Sequence, residues 1–385
     1  MSESADKKKP AGKAESPESL RRRREQLDRE LIALLNRRAE LANEEAARVD
    51  GRAPNTEAPG SGAETNTPQP AIIPPVDDGL PTDLESLNAG PLDAETLRNV
   101  YRELAGGWRK LRRKTRVAFL GPAFTYSHLA ALARFGDAVD QFPVGSISAV
   151  FEEVNRGQAD FGVVPVENST DGRIADTLDM FTRLRVRVCG EVPLPIHHSL
   201  LGVGSRAGIT EVHSKPQALS QCRNWLSRHL PEARLVEVAS TVAAAQTARS
   251  RPEVAAVAGA HAAAVYGLQV LAENIEDNQS NVTRFFVIGE ESAPRTGRDK
   301  LSVMFEVPHK PGALADAMNV FKRAKLNLTW IESFPIARPE GGYMFFVELD
   351  GHENDTKVRN ALKSLEKKTL RLEVLGSYAK AEQAG

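Results

Sequence analysis

Three short stretches of this sequence concentrate side chains able to hold or protonate a small polar ligand. Glu167, Asn168, Ser169 and Thr170 follow the apolar run GVVPV, where a strand hands over to a helix. Free backbone amides at a helix start favour a carboxylate, and Asn168, Ser169 or Asp171 there would equally serve as a cap. In HSKPQALSQC, a helix starting near Pro216 stacks Ser214 and Gln221 on one face over two turns. Thr283 and Arg284 are neighbours in the strand-like NVTRFFVIG. Adjacent strand residues point to opposite faces, so these two share a ligand only if the chain bends there. By pattern alone Thr283 reads as an ordinary strand former and Arg284 as an ion-pair partner. His128, His197 and His198 stand beside apolar residues and read as structural. Cys222 has no base partner nearby and reads as a packing thiol. With Cys189 it makes too few cysteines for a disulfide framework, and the two have no metal-ligand spacing.

The elements that must position these side chains follow a strand–loop–helix rhythm from residue 116 onward. RVAFLG leads through GPAFTYSH into helical LAALARF, and DFGVVPV leads through ENSTDG into IADTLDMF. VRVCGEV, SLLGV, TEVHS, RLVEV and EVAAVAG are further strand candidates, and NVTRFFVIG closes the series. Such alternation predicts α/β layers around mainly parallel sheets, whose strand-to-helix loops are where ligands bind. From about residue 300 the order changes to βαββαβ, the ferredoxin-like pattern. Near the N-terminus Leu20, Leu27, Leu31, Leu34 and Leu41 follow heptad-like spacing on one long helix, with Arg24 and Arg38 on the same seam. Asp93 caps a second helical pattern running through Leu97, Tyr101, Leu104 and Trp108.

Composition bounds the rest. The chain has 385 residues, room for two or three domains. Its 50 Lys+Arg against 51 Asp+Glu give a net charge of −1, which argues against a polyanion binder such as a nucleic-acid protein. No apolar run is long enough to span a bilayer, and the polar N-terminus lacks a secretory apolar stretch, so a cytoplasmic location is expected, with no membrane partner. Residues 1–15 read as a disordered tail and 51–81 as a Pro-rich linker.

The middle of the chain resembles prephenate dehydratase, through GPAFTYSH (121–128), FGVVPVENSTDG (161–172), LPIHHSLL (194–201), HSKPQALSQC (213–222) and AENIEDNQSNVTRFFVIG (272–289). The C-terminal part resembles an ACT regulatory domain, through PGALA (311–315) and IESFP (331–335). The first helix resembles an all-helical chorismate mutase module. The resemblance implies a two-lobed, periplasmic-binding-protein-like α/β domain at 115–290 and an ACT domain at 299–380. It also implies mutase-like helices at 16–50 and 82–114. The implied reaction is the decarboxylating dehydration of prephenate to phenylpyruvate, with no cofactor and no metal. The implied catalytic residues are Thr283, Asn168, Ser214, Gln221 and Glu167, with Thr283 donating towards the leaving hydroxyl and Asn168 contacting the substrate. Arg284, Ser169 and Thr170 are implied to bind substrate. Phenylalanine, the implied effector, would sit near Gly312, Ala313, Leu314, Glu332, Ser333, Phe334 and Pro335.

The sequence departs from the resembled pattern at several points. Phe124 stands where the first motif commonly has a small residue, often glycine; Asp171 and Arg173 replace a glutamate and a serine; Phe334 replaces the arginine of ESRP. Arg21 and Arg38 match arginines that hold chorismate, but Val49 falls on a lysine position, Trp108 and Arg112 fall on serine and glutamine positions, and the linker displaces the second helix. A degenerate mutase module is therefore expected. The rival expectations are a fully bifunctional mutase–dehydratase, an arogenate dehydratase and a non-catalytic amino-acid-binding regulator. A homodimer is the default assembly, with a homotetramer as the alternative.

Overall fold

The structure is a computed structural model and describes residues 17–49, 87–112, 115–170, 172–336 and 342–381. The tail and linker expected at 1–15 and 51–81 lie outside the described residues, as does Asp171. The chain divides into two compact units, Met1–Pro70 and Ala71–Gly385.

The described residues of the first unit form the helix α1 (Pro17–Val49), 33 residues long. Proline is tolerated at a helix start because its missing N–H has no partner there in any case. Along α1, Arg21 pairs with Glu25 one turn on, at 3.2 Å. Leu20, Leu27, Leu31, Leu34 and Leu41 are all exposed, so the apolar seam read from the sequence is present and unburied.

In the described residues of the second unit, α2 (Ala94–Arg112) comes first in chain order among the longer elements. Its start is fixed by Asp93, which accepts from Thr96 N at 2.7 Å and from its hydroxyl at 2.8 Å. These bonds hold the Asp93 carboxyl below its usual pKa. The first lobe follows: β1 (Arg116–Leu120), α3 (Tyr126–Phe135), β2 (Asp140–Val144), α4 (Ile147–Asn155), β3 (Phe161–Asn168), β4 (Gly172–Arg173), α5 (Ala175–Arg183) and β5 (Arg187–Pro195). The second lobe contains β6 (Ser199–Gly202), β7 (Glu211–Ser214), α6 (Pro216–Gln221), α7 (Arg223–His229), β8 (Arg234–Glu237), α8 (Thr241–Ser250), β9 (Val254–Ala258), α9 (His261–Tyr266) and β10 (Gln269–Ala272). The chain then returns to the first lobe as β11 (Val282–Gly289).

The first sheet runs β2-β1-β3-β11-β5, with β4 on β3, and the second runs β10-β6-β9-β7-β8. Strand pairing corrects the expectation of mainly parallel sheets. Only β1–β2, β1–β3, β7–β8 and β7–β9 are parallel among the described pairs of the two lobes. β11 is antiparallel to both β3 and β5, and β6 to both β9 and β10. The reason is the double crossing between lobes: a strand that re-enters a sheet from the other lobe arrives at its opposite end. The two crossing segments are tied together, Ile196 N to Asn281 O at 2.8 Å and Ile275 N to His198 O at 2.8 Å.

The last domain comprises β12 (Asp299–Glu306), α10 (Ala313–Arg323), β13 (Leu328–Pro335), β14 (Tyr343–Asp350), α11 (Thr356–Glu366) and β15 (Arg371–Ala379), in an antiparallel sheet ordered β13-β14-β12-β15. One face packs on the two helices through Val303, Phe305, Phe321, Val347 and Leu365. The other face packs on the first lobe, joining Met304, Phe346, Leu375 and Tyr378 to Val188, Phe286 and Ile288. Both faces being covered explains why β14 is buried along almost its whole length.

Candidate active site

A cavity of about 450 Å³ lies between the two lobes. The first lobe supplies the loop after β1 and the ends of β3 and β11, through Thr125, Tyr126, Asn168, Thr283 and Phe285. The second lobe supplies Lys215, Gln217 and Gln221 around α6, and Ser240 and Thr241 at the start of α8. Ile196 and His198, on a crossing segment, form part of the wall.

β3 and β11 place Thr283 directly opposite Asn168. Asn168 Nδ2 donates to Thr283 Oγ1 at 2.8 Å and to Asn281 Oδ1 at 2.9 Å, while its Oδ1 accepts from Thr170 N at 2.9 Å. A hydroxyl that accepts from an amide must aim its own hydrogen elsewhere, so Thr283 is set as a donor. With both lengths of its side chain engaged in this way, Asn168 orients Thr283. Asn281, 1 % exposed, gathers the bonds from Asn168 and, at 3.3 Å, from the Thr170 hydroxyl. The sequence reading passed over Asn281, although it stands two residues before Thr283 in NVTRF.

Across the cavity Gln221 Oε1 lies 2.8 Å from His198 Nε2. Burial lowers the His198 pKa, although its bond to Gln221 and the Glu276 charge oppose this. A neutral ring that meets a carbonyl oxygen through Nε2 carries its proton there. The bond therefore leaves the Gln221 amide nitrogen as the donor end. Glu276 fixes the segment by accepting from His198 N at 2.8 Å and standing 2.8 Å from His197 Nδ1. His198 thus belongs to the wall of the cavity, where the sequence reading had set it aside as structural. Tyr126 donates its hydroxyl to the His197 carbonyl, and burial raises its pKa.

Other expected site residues are placed elsewhere. Ser214 is fully buried and donates to the Val257 carbonyl at 2.6 Å, between β7 and β9, away from the cavity lining. The face shared with Gln221 is lost because Ser214 still belongs to β7, and α6 begins only at Pro216. Glu167 and Arg284 lie on the far face of the first sheet. Arg284 there meets Glu348 at 2.6 Å, Glu167 at 3.1 Å and Glu191 at 3.2 Å, with its guanidinium over the Trp330 ring. Burial works against the charge, but the Glu348 and Glu191 carboxylates outweigh it and raise the Arg284 pKa. Arg284 and Glu167, expected at the substrate, therefore lie outside the cavity lining, on the face opposite Thr283, as strand alternation dictates. Ser169 and Thr170 are exposed and do not line the cavity; Ser169 Oγ accepts from Val282 N at 3.0 Å.

In the last domain Gly312 adopts φ +80° just before α10, and Ala313 is buried while Leu314 is exposed. Glu306 of β12 and Phe334 of β13 are both in register with Met344 of β14. The chain leaving β12 reaches Gly312 at that same end of the sheet, so the 312–314 and 332–335 segments share one end. Phe334 packs against the core shared with the first lobe. Glu332 pairs with Arg173 at 2.9 Å, and Arg173 also donates to the Ser333 carbonyl at 2.9 Å. The strand that carries the expected effector residues therefore touches β4, the short strand that follows Asn168 and pairs with it. Arg21 and Arg38 are exposed on α1.

Among the described residues no cluster of His, Cys, Asp and Glu could hold a metal ion, and no helix is long and apolar enough to cross a membrane. The fold and cavity define a two-lobed α/β domain with a cavity in the interlobe cleft, followed by a ferredoxin-like domain packed on the first lobe. The prephenate dehydratase family model matches residues 117–293, and the ACT domain model matches 301–367. The bifunctional chorismate mutase/prephenate dehydratase of Stutzerimonas stutzeri is 39% identical over 373 residues, 96% of this chain and 99% of its own length. The prephenate dehydratase of Lactococcus lactis subsp. lactis (strain IL1403) is 36% identical over 273 residues, 69% of this chain and 97% of its own. Among solved structures, the prephenate dehydratase of Arthrobacter aurescens in complex with L-Phe is 35% identical with a TM-score of 0.65, covering 69% of this chain and 90% of that one. A chain described as GqqA, a novel type of quorum quenching acylase, is 28% identical with a TM-score of 0.64, covering 69% of this chain and 98% of that one. The chain belongs to the prephenate dehydratase family and carries an ACT domain.

Proposed function

We propose that the interlobe cavity converts prephenate to phenylpyruvate, and that the observation carrying this reading is the Thr283 hydroxyl held as a donor by Asn168 inside it. In the reaction the bond between the ring and its carboxylate breaks and its electron pair enters the ring. The ring hydroxyl leaves on the far side, takes a proton and departs as water, while carbon dioxide is released and the ring becomes aromatic. Formation of the aromatic ring supplies the driving force, so the protein's tasks are to orient the dianion and assist the departing oxygen. Thr283 donates towards that oxygen, within a hydrogen-bonded relay because an alcohol is a weak acid. Gln221, which lines the cavity and meets His198 through its Oε1, serves in this reading as a neutral partner for a carboxylate. Mixing purified protein with prephenate and following phenylpyruvate by absorbance tests the reading; absence of product overturns it, and preferential conversion of arogenate makes the site an arogenate dehydratase.

The two crossing segments support reading the catalytic domain as periplasmic-binding-protein-like, spanning 115–290, with the ACT domain at 299–380. Phenylalanine is the proposed effector at the 312–314 and 332–335 segments, and the contact of Arg173 with Glu332 and Ser333 supports a route to the catalytic loop. The exposed leucine seam of α1 supports a homodimer, or a homotetramer, joined in part through this helix, with the mutase module retained for assembly. A cytoplasmic location fits this biosynthetic role.

A further inference from the structure

The structure assigns Lys215 as the residue that holds the carboxylate of the substrate's three-carbon side chain and selects a 2-oxo acid over its amino analogue. This rests on the dehydratase reading of the cavity and names the side-chain chemistry it accepts. A doubly charged substrate needs a cation near it, and Arg284, the expected one, is occupied by three carboxylates behind the sheet. Among the described residues lining the cavity there is no Asp, Glu or Arg. His198 is buried with its pKa lowered, so the ring stays neutral. Among the described lining residues Lys215 alone brings a full positive charge to the wall, standing where β7 ends and α6 begins, with its side chain exposed.

Chemistry decides which carboxylate it takes. The ring carboxylate must give up its charge to the ring as carbon dioxide leaves, so a cation bound to it would stabilise the ground state against reaction. The side-chain carboxylate keeps its charge into the product, and holding it costs nothing in the transition state. That side chain and the departing hydroxyl sit at opposite ends of the ring. The cavity has the same polarity, with Lys215 on the second lobe and Thr283 on the first. Gln217, Ser240 and Thr241 share the second-lobe wall with Lys215 and offer neutral partners for the adjoining keto oxygen. An amino analogue carries an ammonium beside that carboxylate, which Lys215 repels.

The test compares wild type, Lys215→Met and Lys215→Arg on prephenate and arogenate. Lys215→Met is expected to raise the KM for prephenate at least tenfold with kcat within about threefold, the pattern of lost uniform binding. The preference for prephenate over arogenate, as a ratio of kcat/KM, should fall at least tenfold in Lys215→Met and recover in Lys215→Arg. A KM unchanged within twofold, or an equal loss for both acids, overturns the assignment. Calorimetric binding of phenylpyruvate separates this from the dehydratase reading. If wild type turns over neither acid, the dehydratase reading falls. Tenfold weaker phenylpyruvate binding by Lys215→Met then still supports the anchor, and equal binding overturns it.

Discussion

Thr283 is a weak acid made useful by its surroundings. Asn168 occupies its lone pair at 2.8 Å, which leaves the hydroxyl hydrogen to the cavity. Thr283→Ala should lower kcat by about 10²–10⁴, the usual worth of a positioned proton donor. Thr283→Ser, which keeps the hydroxyl and its bond to Asn168, should retain most of the turnover, and steady-state assays of both variants check this. His198 sets a pH dependence. Burial depresses its pKa below the ordinary 6.5, so the folded ring stays neutral where the unfolded ring takes a proton. Folding stability should therefore fall as pH drops below 6.5, and the fall should end once the buried ring itself protonates. Each such ring contributes a slope of at most about 1.4 kcal/mol per pH unit. His128, whose pKa burial also lowers, adds to the same limb. Urea unfolding at stepped pH should show His198→Gln with a shallower acid limb than wild type.

At the scale of elements, β11 is the member on which site and scaffold meet. Its alternation gives Thr283 and Phe285 to the cavity side and Arg284 and Phe286 to the ACT side. Arg284 offsets Glu348, Glu191 and Glu167, with Lys300 2.8 Å from Glu191 and Tyr378 donating to Glu348 at 2.6 Å. Removing one partner of a buried charge cluster leaves the others uncompensated, at a cost of about 3–5 kcal/mol. Arg284→Met should accordingly lower the urea midpoint, while the prephenate KM changes by less than about threefold. A large KM change with normal stability would return Arg284 to the substrate. Sequence pattern had raised this possibility through the opposite facing of neighbours. It could not say which face held the ligand, because both faces of β11 are covered. Ser214 illustrates the converse: its helical partner Gln221 was legible by spacing, but Ser214 is itself the last residue of β7, two residues before α6 begins, and its hydroxyl turns to Val257.

At the scale of the molecule, the ACT sheet sits directly on the first lobe, with β15 against β5. Gly376, at φ +144°, permits that approach: a Cβ there would run into the Val188 carbonyl oxygen and lie 2.9 Å from its nitrogen. Gly376→Val should cost about 1–3 kcal/mol by overpacking and by the strained backbone. It should also weaken the response to phenylalanine, because the domains can no longer seat together. Thermal unfolding and inhibition curves measured on the same sample check both effects.

The amino-acid sequence by itself determined the alternation of elements, the ordered motifs that mark the family, the βαββαβ order of the last domain and the apolar seam of α1. All of these are local or linear properties, carried by periodicity and by residue spacing. Phe124 belongs to this class too, since its position in a motif that commonly takes glycine corresponds to a left-handed backbone at φ +65°. Only the tertiary structure decided which charges face the cavity. It withdrew Arg284 and Glu167 behind the sheet, buried Ser214, and brought His198 and Lys215 to the wall of the cavity. The reason is that a side chain's face is fixed by the sheets and lobes packed on either side of its strand, and those neighbours come from distant parts of the chain.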